Sequence, residues 1–120
     1  MLTTPLEMLY EILNEEAPKK TKILPYNVAE ADDSYEVDIF IPSTEKDNID
    51  VVYQNGILKV TGEYKVTDKK YIVKLFDNKT FSLKINMPGI DFENSKGSYE
   101  NGVLSLILPK ESKVERLLLQ

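Results

Sequence analysis

Two Asn-Gly pairs do most to limit what this chain can become. Asn55-Gly56 and Asn101-Gly102 each stand between short runs in which apolar and polar residues alternate. Asparagine and glycine adopt positive φ at the least steric cost, so the pair favours a two-residue turn whose twist matches that of paired strands. In "NIDVVYQNGILKVTGE", Ile49, Val51 and Tyr53 alternate before the turn, and Leu58 and Val60 share a face after it. "GSYENGVLSLILP" repeats the design around Asn101-Gly102. Side chains two apart on a strand share a face, so both stretches read as hairpins. Residues 103–108 are almost continuously apolar, which suits a strand buried on both faces or one that carries a partner-binding side.

Period two recurs elsewhere. "SYEVDIFIP" puts Tyr35, Val37, Ile39 and Ile41 on one face and Glu36 and Asp38 on the other, with Pro42 as the stop. "TFSLKINMP" lines up Phe81, Leu83, Ile85 and Met87. Tyr71, Ile72, Val73, Lys74, Leu75 and Phe76 form a further strand candidate, set off by Asp77-Asn78 after the polar stretch 64–70. The N-terminus differs. Thr4, Pro5 and Glu7 make a capped helix start, and Leu6, Met8, Leu9, Ile12 and Leu13 form an apolar stripe up to about residue 16. So short a helix is marginal alone, so the stripe must pack on its own domain or on another chain. "EEAPKKTK", residues 15–22, is a polar linker. Some seven short strands and one terminal helix in 120 residues predict a single all-β sandwich.

Composition narrows the function. The chain has no histidine and no cysteine, so the commonest general base and the usual transition-metal ligands are missing, and no disulfide framework is available. No phosphate-cradling glycine motif occurs. An enzyme would have to work with carboxylates, and scattered Asp and Glu are ordinarily solvated surface, so no enzyme and no cofactor is expected. A net charge of −5 disfavours nucleic acid and anionic membranes as partners. No apolar run approaches the roughly 20 residues of a membrane span. "MLTTPLEML" lacks a basic leader region, and a cytoplasmic setting is expected.

"GSYENGVLSLILPK" resembles the signature hairpin of the α-crystallin domain of small heat shock proteins, an A-x-x-x-N-G-V-L run closed by P-K. Asn101, Gly102, Val103, Leu104, Pro109 and Lys110 match it, and Gly97 replaces the alanine. "YEVDIFIP", "NIDVVYQNGILKVTGE" and "FSLKINMP" resemble the family's other strands in the same order, so the resemblance covers about residues 25–110. Three positions depart from the pattern: Ser43 stands for a glycine, Leu83 for an arginine, and the glycine usual before that strand is lost near Lys79. The resemblance implies an immunoglobulin-like sandwich over 25–110, between an N-terminal arm, 1–24, and a C-terminal extension, 111–120. It implies an ATP-independent holdase that binds partly unfolded clients and assembles from dimers into larger homo-oligomers. It also implies exchange of the strand Tyr71, Ile72, Val73, Lys74, Leu75 and Phe76 between dimer partners. The stripe Leu6, Met8, Leu9, Ile12 and Leu13 would contact clients or neighbouring subunits.

The chain closes on "VERLLLQ". In the family, two branched apolar residues flanking one spacer enter a groove between two strands of a neighbouring sandwich. Leu117 and Leu119 fit that spacing, with Ile49, Val51 and Tyr53 on one strand and Gly97 and Tyr99 on the other as the expected groove. A helical tail is the rival, since Ser112 and Glu115 make a capping box and Val114, Leu117 and Leu118 fall at helical spacing. Three other functions stand beside the holdase: a monomeric binding module resembling CS-domain co-chaperones, a structural coat subunit, and a carboxylate enzyme.

Overall fold

The computed structural model describes residues 24–112 and 117–119. The expected N-terminal helix with its stripe, and residues 113–116 of the tail, lie outside the described residues. Seven strands form two antiparallel sheets: β1 Tyr26–Glu30, β2 Ser34–Phe40, β3 Ile49–Gln54, β4 Ile57–Glu63, β5 Thr80–Asn86, β6 Lys96–Glu100 and β7 Val103–Pro109. One sheet runs β1-β2-β7-β6 and the other β3-β4-β5. This is the expected all-β sandwich.

Both Asn-Gly pairs turn as their chemistry dictates. Asn55 and Gly56 have φ of 53° and 77°, and Asn101 and Gly102 have 52° and 78°. The flanking residues pair directly, Gln54 with Ile57 and Glu100 with Val103, so each loop holds two residues. The alternating faces then meet between the sheets. Val37, Ile39, Ile41, Leu58 and Val60 are fully buried, and Phe81, Leu83, Ile85, Met87, Leu104, Leu106 and Leu108 close the core around them. Leu24, placed by the sequence reading at the end of the arm, is buried in this core as well. Residues 103–108 are buried on one face only: β7 lies between β2 and β6, and Ile107 on its outer face is 47% exposed.

Two expectations change. β1 forms where no strand was expected; every residue in it is exposed, and its pairing with β2 makes it a strand. The stretch Tyr71, Ile72, Val73, Lys74, Leu75 and Phe76 forms no strand within this chain. Its composition suits a strand, but a strand needs a ladder partner, and β4 already has β3 and β5 on its two sides. It runs instead through a loop with a pinned neck. Tyr64 N–H donates to the Lys79 carbonyl at 2.9 Å and Lys65 N–H to the Ser43 carbonyl at 2.7 Å. Inside the neck the Phe76 ring meets Tyr64 edge-on, with centroids 4.9 Å apart. Tyr64 itself is buried against Phe81, and that burial raises the pKa of its phenol.

Candidate functional site

The sandwich is asymmetric where β3 and β6 come together. Each is the outermost strand of its sheet, so among the described residues each has an unpaired backbone edge. Between them runs a groove of about 320 Å³. Ile49 and Val51 of β3 form one wall, Gly97 and Tyr99 of β6 the other, and Leu104, Leu106 and Leu108 of β7 the floor. Lys46 and Lys96 stand at the rim.

Local chemistry shapes each part. Gly97 keeps the groove deep: a Cβ there would meet Cδ2 of Leu106 at 2.9 Å. Tyr99 is held in place because its hydroxyl donates to the Ile41 carbonyl at 2.5 Å, so the ring stays in the wall while the oxygen is satisfied. Tyr53, expected beside Ile49 and Val51, does not line the groove. Its ring stacks on Phe92 at 5.6 Å. Its hydroxyl donates to the Met87 carbonyl at 2.7 Å and accepts from Ile90 N–H at 3.3 Å, bracing the segment that leads into β6. Phe92 and Ser95, from that segment, complete the lining; sequence reasoning missed both, and the only signal for Phe92 was an aromatic residue inside a polar loop.

Leu117, Leu118 and Leu119 lie outside any helix and are 85%, 86% and 84% exposed. Of the signature residues, Asn101 and Gly102 make the turn between β6 and β7 and Val103 and Leu104 begin β7; the Gly102 carbonyl accepts from Ile41 N–H at 2.8 Å. The loop residues Ile72, Val73 and Leu75 are strongly exposed, Ile72 wholly so. Among the described residues no cluster of acidic side chains is arranged to hold a metal ion, and no helix is long and apolar enough to cross a membrane.

An open seven-stranded sandwich with two Asn-Gly hairpins and an apolar groove between sheet edges defines an α-crystallin-type domain. The model of the Hsp20/alpha crystallin family matches residues 27–117, and the chain belongs to that family. It is 26% identical over 102 residues to heat shock protein HSP.16.4 of Streptococcus thermophilus, covering 80% of this chain and 72% of that protein. It is 33% identical over 99 residues to heat shock protein 26 of Saccharomyces cerevisiae, covering 72% of this chain and 46% of the yeast protein. In fold it is similar to a small heat-shock protein from Xylella fastidiosa described as having a distinct high order structure. That match has a TM-score of 0.70 at 20% identity and covers 83% of this chain and 96% of the other. The family consists of chaperones that work without ATP, so the chain has a chaperone role and is not an enzyme.

Proposed function

We propose that this chain is a holdase that keeps partly unfolded proteins from aggregating and stores itself as homo-oligomers built from dimers. One observation carries the reading: the same chain has an apolar groove flanked by two open strand edges and two exposed leucines at the spacing such a groove accepts. In an extended segment Leu117 and Leu119 face one way and Leu118 the other. Main-chain hydrogen bonds to the β3 or β6 edge would fix the segment while the two leucines fill the groove of a neighbouring copy.

The magnitudes suit a reversible plug. Two buried leucines contribute about 3–6 kcal/mol gross, and association costs about 4 kcal/mol or more. One tail holds weakly, while several in one assembly act together through effective concentration. In this reading the strand Tyr71, Ile72, Val73, Lys74, Leu75 and Phe76 finds its missing ladder on a dimer partner. The stripe Leu6, Met8, Leu9, Ile12 and Leu13 supplies client contacts, and the setting is the cytoplasm.

Light scattering on the full chain and on a Leu117→Ala/Leu119→Ala variant tests the plug. The full chain is expected to be an oligomer and the variant to shrink to dimers. A full-length monomer would remove the plug and favour the monomeric co-chaperone reading. Aggregation of a heated client, followed without ATP, tests the activity. No suppression at one subunit per client would sink the holdase.

A further inference from the structure

Charge divides this chain into opposed segments. Residues 64–79 hold five lysines against Asp68 and Asp77. Residues 24–45 hold six acidic residues and no lysine or arginine. The basic segment is the exposed loop, and the acidic one is the β1–β2 hairpin with its approach to β3.

The two also match face by face. Period two splits the loop segment into Tyr71, Val73 and Leu75 on one side and Lys70, Ile72 and Lys74 on the other. β1 is an outermost strand with a free edge, and its two faces differ in the same way. On the core side, Tyr26 and Val28 pair with the buried Ile39 and Val37. Even so they are 38% and 44% exposed and are not part of the core cluster. On the outer side, Asn27 and Ala29 stand in register with Asp38 and Glu36, and both acids are exposed. A strand added to β1 would lie about 4.8 Å from it, and about 10 Å from β2. Across side chains as short as Asn27 and Ala29, that span is within the joint reach of a lysine and a carboxylate. In the single chain Lys74 rests 3.0 Å from Asp77 on the surface, an exposed pair that is easily given up.

We propose that the two segments are a matched pair between two copies of this chain. Lys70 and Lys74 of one copy lie over Glu36 and Asp38 of the other, while Tyr71, Val73 and Leu75 cover Tyr26 and Val28. The proposal rests on the strand-exchange reading and adds to it a charge code that selects the partner. The occupant is a second copy because the acidic hairpin is complementary in sign to this loop, and because Val73 and Leu75 stay exposed on their own domain. Opposite charges also steer the encounter, so association weakens as salt rises.

The test uses full-length chains and native mass spectrometry of mixtures, with sedimentation at about 20 mM and about 500 mM salt. Lys70→Glu/Lys74→Glu and Glu36→Lys/Asp38→Lys are each expected to lose homodimer at least tenfold at low salt. Mixed one to one, they are expected to form the heterodimer. Wild-type dimer should weaken at high salt. A Val73→Asp variant separates the two ideas, since it removes the exchanged strand's apolar face. If Val73→Asp is monomeric while both charge variants dimerise like wild type, the charge code is overturned and the exchange stands. If Val73→Asp dimerises normally, or wild type has no dimer, the exchange fails and the charge code with it.

Discussion

Ser43 carries a φ of 54°, in the left-handed region where a side chain is strained. It stands where the family pattern has glycine, so the departure visible in the sequence has a backbone consequence. Ser43→Gly is expected to raise stability by about 0.5–1 kcal/mol, read from the midpoint of urea unfolding. Gly62 shows the reverse case. A Cβ there would run into the Asn48 carbonyl and the Phe81 ring, neither of which can move without disturbing strand pairing or core. Gly62→Ala should cost about 2 kcal/mol or more in the same measurement. Gly97 differs again, because the only close neighbour of an added Cβ is the flexible end of Leu106. Gly97→Val should leave the sandwich within about 1.5 kcal/mol of wild type. On the proposed plug it should nonetheless shrink the assembly to the size of the Leu117→Ala/Leu119→Ala variant in light scattering.

Elements depend on partners as well as on composition. β5 and the loop stretch 71–76 are both rich in strand-forming residues, but among the described residues only β5 has a strand neighbour. The tail segment reads the same way. If it binds extended, Leu118→Ser leaves the oligomer intact. Leu117→Ser and Leu119→Ser should each weaken it by about 1.5–3 kcal/mol per tail, seen as dissociation on dilution. At the other end of the sandwich, Lys110, just after β7, reaches across to Glu30 of β1 at 2.7 Å and lies over the Tyr35 ring. The hydrogen bond and charge of Lys110 hold the Glu30 carboxyl below its ordinary 4.5, and Glu30 raises Lys110 above 10.5. The unfolded Glu30 takes up its proton first, so its contribution is full above about pH 4.5 and is lost as pH falls through the folded value. The Lys110 contribution is full below about pH 10.5 and is lost as pH rises through its folded value. Glu30→Gln should therefore lower stability near neutrality, with a penalty that shrinks as the pH falls below about 4.5, by chemical denaturation across an acid pH series.

The whole molecule is a sandwich whose sheets do not close. Among the described residues, β3 and β6 leave a groove, Tyr26 and Val28 of β1 stay partly exposed, and the loop between β4 and β5 carries exposed apolar side chains. A monomer rarely leaves so much apolar surface and so many strand edges open. On the proposed reading, self-association covers them and clients compete for them, which lets a chaperone work without a catalytic group. Heating should shift the subunit exchange rate before it unfolds the sandwich. Mixing two fluorescently labelled pools below the melting temperature checks this, and an exchange rate that stays flat until unfolding would count against a dynamic holdase.

The strands of the core were legible because an apolar residue every second position can only be buried on one side of a sheet, and Asn-Gly fixes the register of the hairpin it closes. Ile49, Val51, Gly97 and Tyr99 became groove candidates through the family resemblance, which points to the two strands, and their alternation added only that Ile49 shares a face with Val51 and Gly97 with Tyr99. Their meeting could not be read there, because it depends on β3 and β6 being the outermost strands of different sheets, with residues 55–95 between them in sequence. β1 escaped the sequence reading because its alternation is short, Tyr26 and Val28 about Asn27, and no turn signal of the Asn-Gly kind marks the hairpin it makes with β2. Tyr53 was misplaced because its hydroxyl is drawn to the Met87 carbonyl, a bond 34 residues distant that no local pattern encodes. Periodicity and turn chemistry are local and can be read along the chain. Which edges stay open is a property of how the sheets pack, and only the tertiary structure decided it.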